Sequence, residues 1–210
     1  MENSDMFGNI KWLFFDVGST IMDEHLAYEH RLQEIADLAG VSFDNVYEIA
    51  MEFYKQNKKG DLETAKLLGV KLTKWHTEDE MLYADALTCL KSLSSRYKIG
   101  IIANQSLGTK ERLEAHGILQ YIDLVIASAE EGVAKPDKWI FEIALERAGC
   151  KAQEAIMIGD RIDNDIIPAK LMGMHTIWVK QGFGKYWDIT QENEKADYTI
   201  QELSELQNIL

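Results

Sequence analysis

The sequence predicts an α/β fold in which a Rossmann-like, doubly wound parallel sheet is interrupted by a helical segment. From residue 98 onward, short apolar runs alternate with amphipathic stretches of about ten residues, which is the rhythm of strand–helix–strand units. Between residues 22 and 96 this rhythm is missing, and apolar residues recur at helical spacing instead. The two patterns together indicate one sheet-based core that carries a single helical insertion.

The first predicted strand covers residues 10–15 and reads IKWLFF, which is too short and too aromatic for a helix. Such an apolar run is typical of a parallel strand that is buried on both faces. It ends at Asp16, and the residues Gly18, Ser19 and Thr20 that follow favour a tight loop. Because ligands of open α/β sheets bind just past the carboxyl ends of the strands, Asp16 occupies a position suited to a nucleophile or a metal ligand.

The insertion is predicted to be entirely helical, with no strand between residues 22 and 96. Each of its first three helices ends near a glycine, a residue that is common just after helix C-termini. The helices are expected over residues 26–39, 44–59, 62–68 and 78–95.

The second half of the chain is predicted to supply the remaining strands and helices of the core. Strands are expected over residues 98–103, 123–127, 155–158, 176–179 and 198–200, and helices over residues 110–116, 137–148 and 163–171 and at the C-terminus. The domain boundaries that follow are 1–21 and 89–210 for the α/β core and 22–88 for the helical segment.

Net charge restricts the partners of the protein. The 210 residues include 35 acidic and 22 basic ones, which gives a formal net charge of −13. We find no local basic cluster in the sequence, so nucleic acid is not an expected partner. The same negative field repels phosphorylated compounds, so an enzyme that acts on them needs a divalent cation or a few well-placed lysines and arginines.

Cysteine usage and hydropathy indicate a cytoplasmic protein that does not associate with a membrane. Cys89 and Cys150 form no CxxC motif, and reduced thiols are the expectation. No apolar run approaches the length of a membrane span. Residues 1–5 are polar and acidic, unlike a signal peptide. A monomer or a homodimer is expected.

Polar residues follow four of the predicted strands, where they would converge on one crevice. The carboxylates of Asp16 and Asp160 could hold Mg²⁺, with waters and a substrate phosphate as further ligands. Asp16 could attack phosphorus and form an aspartyl phosphate. Lys135 would neutralise the nucleophile and the phosphate oxygens, and Asn104 would donate a hydrogen bond.

With these residues in this order, the chain resembles the haloacid dehalogenase-like (HAD) superfamily of hydrolases over essentially its whole length. The order and the spacing of four motifs both fit, and the helical insertion matches the α-helical cap that the family inserts after the first motif. The motifs are FDVGST at residues 15–20, IIAN at 101–104, KPD at 135–137 with Ile140 and Phe141, and IGD at 158–160 followed by NDI at 164–166.

The resemblance implies a HAD-like α/β core and a Mg²⁺-dependent phosphatase that acts on a small phosphorylated metabolite. It implies that Asp16 is the catalytic nucleophile, assisted by Lys135, and that closure of the cap selects the substrate. The implied metal ligands are Asp16, the main-chain carbonyl of Gly18, Asp160 and, in support, Asp165. The expected substrate-binding residues are Asn104, Gln105, Lys135 and His25.

Two positions depart from the pattern of HAD phosphatases. Gly18 stands where the family usually has a second aspartate, which protonates the leaving group and then activates water. Ala103 stands where the family usually has Ser or Thr, and this removes one hydrogen bond to the phosphate. General acid–base catalysis typically contributes roughly 10²–10⁴-fold, so slow turnover or a preference for good leaving groups is expected.

Three functions are therefore open from the sequence. The first is a phosphatase that takes its acid/base from Asp23, Glu24 or His25 near the cap hinge, or from the substrate itself. The second is a haloacid dehalogenase, which lacks the second aspartate and needs no metal, but the acidic cluster at residues 160–165 is then left without a cation. The third is a catalytically impaired relative that binds a phosphorylated ligand or a partner protein through the cap.

Overall fold

The computed structural model describes residues 7–210, and the predictions made for residues 1–6 lie outside the described residues. None of the described helices is long and apolar enough to cross a membrane. The strands are β1 (Trp12–Phe15), β2 (Met22–Asp23), β3 (Met81–Leu82), β4 (Lys98–Ala103), β5 (Leu124–Ala127), β6 (Ala155–Gly159), β7 (His175–Val179) and β8 (Tyr198–Ile200). The helices are α1 (His25–Ala39), α2 (Phe43–Tyr54), α3 (Gly60–Leu67), α4 (Ala86–Leu93), α5 (Thr109–Ala115), α6 (Ser128–Glu131), α7 (Lys138–Ala148), α8 (Ile167–Leu171) and α9 (Leu206–Ile209).

Six parallel strands form the central sheet in the order β5-β4-β1-β6-β7-β8. The strand order changes direction at β1, which pairs with β4 on one side and with β6 on the other. Phe15 of β1 lies level with Ile101 of β4 and Ile158 of β6, so polar residues that follow these strands come close together. The predicted doubly wound α/β fold is confirmed, and its topological switch point lies at the end of β1.

Strand β1 is buried because helices cover both faces of the sheet. Leu13, Phe14 and Phe15 are all inaccessible to solvent. Leu13 and Phe15 belong to the hydrophobic cluster that includes Leu90 of α4, whereas Phe14 packs in a second cluster with Phe141 of α7. The aromatic run therefore lies at the centre of two core layers, as expected for a parallel strand.

Helices α1, α2 and α3 pack around a hydrophobic cluster of their own. Its buried members include Leu32 and Ile35 of α1 and Val46 of α2. Phe183, in the loop after β7, joins this cluster and stacks on Tyr54 with ring centroids 4.0 Å apart. The helical segment therefore contacts the sheet-bearing part of the chain through an aromatic side chain of the core.

The sequence prediction is wrong where the helical segment returns to the sheet. Strand β3 runs antiparallel to β2, whereas the sequence predicts a helix over residues 78–95 and no strand between 22 and 96. Helix α4 begins only at Ala86. The backbone N–H of Tyr83 donates a hydrogen bond to the carbonyl of Ile21 at 3.1 Å, which keeps the returning chain extended beside the departing one. Two-residue strands depend on this pairing and leave no periodicity in the sequence.

Gly100 of β4 faces the ring of Phe14, and a β-carbon at this position would overlap with Cδ1 and Cε1 of the ring. We predict that Gly100→Ala lowers the free energy of unfolding by about 1–3 kcal/mol, the usual cost of overpacking a core, as measured by urea denaturation. Thr199→Ala, at an exposed position of the edge strand β8, is the control and should change it by less than about 0.5 kcal/mol. Equal losses in the two variants would contradict the packing argument.

Candidate active site

The carboxyl ends of β1, β4 and β6 border a cavity of about 430 Å³, and residues of the helical segment form its other wall. Asp165 is fully buried and does not line this cavity. His25 is exposed and lines a neighbouring cavity, so its contact with substrate stays a prediction. The structure brings six of the predicted site residues to the cavity wall: Asp16, Gly18, Asn104, Gln105, Lys135 and Asp160.

Lys135 is the central cation of the site. Its ammonium group donates hydrogen bonds to Oδ1 of Asp16 at 2.7 Å and to Oδ1 of Asp165 at 2.5 Å. Only 1% of its side chain is exposed. Burial alone would lower the pKa of Lys135, but the charges of the two aspartates raise it above the ordinary lysine value. The lysine is therefore charged at neutral pH and holds one oxygen of Asp16 in place.

Asp165 holds Lys135 from the interior of the protein. The helix predicted over residues 163–171 begins as a wide π-type turn, Ile162–Ile166, a rare geometry that is frequent at functional sites. The backbone N–H of Arg161 donates to Oδ2 of Asp165 at 2.9 Å, while Oδ1 accepts from Lys135. Burial raises the pKa of Asp165 to about 6, and Lys135 opposes this shift. Both oxygens of Asp165 have protein partners, and its supporting role at a metal stays a prediction.

Asp160 adds a second carboxylate to the cavity wall. It is buried, and Oδ1 accepts a long hydrogen bond of 3.4 Å from the hydroxyl of Thr20. Burial, and after it the charges of Asp165 and Asp16, raise the pKa of Asp160 well above its ordinary value. One oxygen from each of the three aspartates lies within 4.8 Å of the others. Such a group of oxygen donors fits a divalent cation, whose charge would offset the repulsion among them.

Asn104 and Gln105 are tied into the loops that surround the cavity. The amide group of Asn104 donates to the carbonyl of Lys135 at 2.9 Å, and its oxygen accepts from the N–H of Lys135 at 2.7 Å. Oε1 of Gln105 accepts from Arg112 at 2.8 Å. Ala103 is inaccessible to solvent and brings no hydroxyl group. Asn104 therefore positions the backbone of Lys135, and the predicted phosphate contacts of Asn104 and Gln105 stay predictions.

Of the three acid/base candidates near the hinge, Glu24 lines the cavity that contains Asp16, and Asp23 and His25 line its neighbour. Oε2 of Glu24 accepts a hydrogen bond from the hydroxyl of Ser19 at 2.8 Å. Ser19 has a φ of +53°, which is uncommon for a residue other than glycine. Burial is the main cause that raises the pKa of Glu24 to about 8. Of the three candidates, Glu24 is thus the one that lines the cavity containing Asp16.

Most of the wall that the helical segment contributes could not be predicted from the sequence. Tyr28 and Arg31 of α1, Asp61 of α3 and the indole of Trp75 line the cavity. Glu24, Tyr28 and Arg31 follow one another at intervals of four and three, so they share one helix face, and this spacing is the signal that the sequence offers. Asp61 and Trp75 carry no such signal, because their position depends on how α3 and the following loop pack.

Comparison with known proteins relates the chain to phosphatases over most of its length. Residues 13–179 match the family model of the haloacid dehalogenase-like hydrolases. The glyceraldehyde 3-phosphate phosphatase of Pyrococcus furiosus is 32% identical over 226 residues, which cover 96% of this chain and 93% of that protein. The enzyme of the same name from Methanocaldococcus jannaschii is 41% identical over 114 residues, about half of either chain (54% and 49%). A solved HAD phosphatase from Thermococcus onnurineus has a TM-score of 0.65 at 26% identity, with 95% of this chain and 97% of that chain covered.

Removal of the Lys135 charge leaves two buried carboxylates without their cation. We predict that Lys135→Met lowers the free energy of unfolding by about 3–5 kcal/mol, the usual cost of removing one partner of a buried ion pair. Chemical denaturation followed by tryptophan fluorescence measures the loss. The control is Lys138→Met, whose exposed ammonium lies 3.2 Å from Glu142 and should contribute less than about 1 kcal/mol. Equal free energies of unfolding in the two variants would contradict the stabilising role of the buried Lys135 charge.

Proposed function

This chain belongs to the haloacid dehalogenase-like hydrolases, and we propose that it is a Mg²⁺-dependent phosphatase that hydrolyses a small phosphorylated metabolite through an aspartyl phosphate on Asp16. The observation that carries the proposal is the buried ion pair of Asp16 with Lys135 in a cavity that further carboxylates border. The relatives named as glyceraldehyde 3-phosphate phosphatases support a phosphate monoester as the substrate.

Asp16 is the proposed nucleophile. Because Lys135 holds Oδ1, the carboxylate keeps one orientation in the cavity, and a fixed orientation removes part of the entropic cost of attack. Attack of a carboxylate oxygen on phosphorus would release the alcohol and form the aspartyl phosphate. Attack of water on that phosphorus would then release phosphate and restore Asp16. Lys135 also offers positive charge to the phosphoryl oxygens.

Asp16 and Asp160 are the proposed side-chain ligands of the metal, with the carbonyl of Gly18 as a main-chain ligand and Asp165 in support. HAD phosphatases generally use a divalent metal, and the close approach of the three aspartates supports such a site here. All of these ligands are oxygens, the donors that Mg²⁺ prefers. When bound, the ion supplies positive charge for the substrate phosphate in a protein whose net charge is −13.

The helical segment is the proposed cap, with boundaries at residues 22 and 88, and it would select the substrate as it closes over the cavity. A cavity of about 430 Å³ suits a small metabolite. Asn104, Gln105 and Lys135 would contact the phosphoryl group. His25 lines the adjoining cavity, so it would contribute only to a substrate that extends there.

Two alternatives fit the site less well. A metal-free dehalogenase would leave three aspartates close together without a metal ion, and Lys135 pairs with Asp16 and Asp165 rather than with Asp160. Uncompensated repulsion among buried carboxylates is costly. A binding module without turnover would explain Gly18 and Ala103, because each removes a side chain that the family uses. The ion pair of Asp16 with Lys135 and the carboxylate of Asp160 on the cavity wall oppose it. Hydrolysis of phosphate monoesters by the wild type, and its loss in Asp16→Asn, would distinguish a phosphatase from both alternatives.

We propose a cytoplasmic enzyme, monomeric or homodimeric, that has no nucleic-acid or membrane partner. Cys89 and Cys150 are free thiols, which suits a reducing compartment. The net charge of −13 repels nucleic acids and anionic lipid surfaces.

Asp16→Asn should abolish hydrolysis because an amide is a far weaker nucleophile than a carboxylate. We expect kcat/KM for glyceraldehyde 3-phosphate and for p-nitrophenyl phosphate to fall by at least about 10³-fold in steady-state assays with Mg²⁺. Asp37→Asn is the control, since Asp37 is exposed on α1 and bonds to Gln33. Unchanged hydrolysis in Asp16→Asn would contradict the proposed nucleophile. A wild type that is inactive on every phosphate tested would favour the binding module.

Mg²⁺ should raise the thermal midpoint of unfolding, because a ligand that binds only the native state stabilises that state. At a concentration of a hundred times Kd, the free energy of unfolding rises by about 2.7 kcal/mol. Calorimetry with Mg²⁺ and with EDTA measures the shift independently of activity. We expect Asp160→Asn to lose most of it. Asp163→Asn should keep it, because Asp163 pairs with Arg161 at 2.8 Å and lies outside the group of three aspartates. Equal shifts in wild type and Asp160→Asn would rule out the proposed ligand.

A further inference from the structure

We propose that Glu24 is the general acid and base of this enzyme and takes over the work of the side chain that Gly18 lacks. The inference rests on the proposed phosphatase function and deepens it. It assigns proton transfer to a residue outside the four motifs, directly before α1 of the helical segment.

The carboxyl group of Glu24 lies where a side chain at position 18 would be. A β-carbon on Gly18 would overlap with Oε1 of Glu24 and would lie 2.8 Å from its carboxyl carbon and 2.9 Å from Oε2. The carboxyl carbon of an aspartate at position 18 would itself lie about 1.5 Å from that β-carbon, one carbon–carbon bond away. The two carboxyl groups would compete for the same space. Gly18 therefore leaves the room that Glu24 fills.

Two contacts of the Ser19 side chain, with Glu24 and with the loop at Gly182, fix Glu24 in this place. The hydroxyl of Ser19 donates to Oε2 of Glu24 at 2.8 Å. The loop at Gly182 packs against the same side chain, since a β-carbon on Gly182 would lie 2.5 Å from Oγ and 2.6 Å from Cβ of Ser19. Glu24 is 8% exposed, and it lines the same cavity as Asp16 and Lys135. Oε2 of Glu24 is thus anchored, Oε1 lies against Gly18, and the residue lines the cavity in which Asp16 would receive the phosphoryl group.

Asp61 is a second buried carboxyl group of the helical segment that lines this cavity, but it fits the role less well. Its Oδ1 accepts a hydrogen bond from the hydroxyl of Tyr54 at 3.2 Å. The three atoms nearest to a β-carbon on Gly18 all belong to Glu24. The geometry therefore selects Glu24 of the two.

The proposed proton transfers complete both steps of the reaction. As a carboxylate oxygen of Asp16 bonds to phosphorus, the bond from phosphorus to the leaving oxygen breaks, and that oxygen takes the proton of the Glu24 carboxyl group. In the second step water attacks the phosphorus of the aspartyl phosphate and gives a proton to the Glu24 carboxylate. The bond between phosphorus and Asp16 breaks, phosphate leaves, and both side chains return to their starting forms.

The leaving group provides the sharpest test, because a good leaving group needs no proton. In Glu24→Gln we expect kcat/KM for glyceraldehyde 3-phosphate to fall roughly 10²–10⁴-fold. For 2,4-dinitrophenyl phosphate, kcat/KM should fall less than about tenfold, because kcat/KM covers binding and the steps through release of the leaving group but not the later attack of water. With the aryl ester kcat should still fall, since water attack lacks its base, and a burst of dinitrophenol should precede slow turnover.

The control variant is Glu194→Gln, a buried glutamate that bonds to Thr190 and Gln191 and does not line the cavity. It should leave the ratio of the two kcat/KM values unchanged. Glu24→Gln overturns the inference if kcat/KM falls by the same factor for both esters, or for neither. Asp16→Asn is assayed beside it, and it would keep its activity only if the proposed function itself is wrong.

A swap of positions gives a second test. Gly18→Asp alone should lower activity because it overlaps with Glu24, and Glu24→Ala alone should lower it because the proton carrier is gone. The double variant Gly18→Asp/Glu24→Ala should exceed Glu24→Ala in kcat/KM for glyceraldehyde 3-phosphate by at least about tenfold. A folded double variant without this recovery, or a Gly18→Asp variant more active than the wild type, would overturn the inference. If the double variant does not fold, the leaving-group ratio of Glu24→Gln decides.

Discussion

The buried ammonium of Lys135 is the interaction on which the rest of the site depends. It lies between Asp16 and Asp165 and is almost completely shielded from water. Such an arrangement persists only where good geometry and further hydrogen bonds offset the cost of desolvation. Asn104 supplies two of these bonds to the Lys135 backbone, and the backbone N–H of Arg161 supplies another to Asp165. The ends of β1, β4 and β6 are thereby connected through one network of ion pairs and hydrogen bonds.

The two walls of the cavity have different tasks in this arrangement. The loops that follow the strands supply the proposed nucleophile Asp16, the cation of Lys135 and the proposed metal ligands, whereas the helical segment supplies Glu24 and the surface that would meet the substrate. With Glu24 as the proposed proton carrier at the start of α1, proton transfer would depend on the position of the helical segment as well as on the first motif. Closure of the proposed cap and the chemical step would then be coupled through a single side chain, which is consistent with the role of lids in enzymes.

The parallel strands and most residues at their ends could be predicted from the sequence, because short apolar runs and the polar residues after them are local patterns. The ribbon of β2 and β3 could not, because two-residue strands depend on a partner far along the chain. The inward direction of Asp165 follows from the π-type turn, which has no recognised sequence pattern. The sequence left Asp23, Glu24 and His25 equivalent, because the direction of each side chain at the hinge depends on the packing of Ser19 and the Gly182 loop.

The central claim is that the phosphoryl group passes through Asp16, and identification of the phosphorylated residue tests it most directly. The enzyme would be mixed with 2,4-dinitrophenyl phosphate and Mg²⁺, quenched within the first turnover, reduced with borohydride and digested for mass spectrometry. Borohydride converts an aspartyl phosphate to homoserine, so we predict homoserine at position 16 and a much lower yield without substrate. An unmodified Asp16 in a preparation that turns over, or homoserine at another aspartate, would contradict the claim.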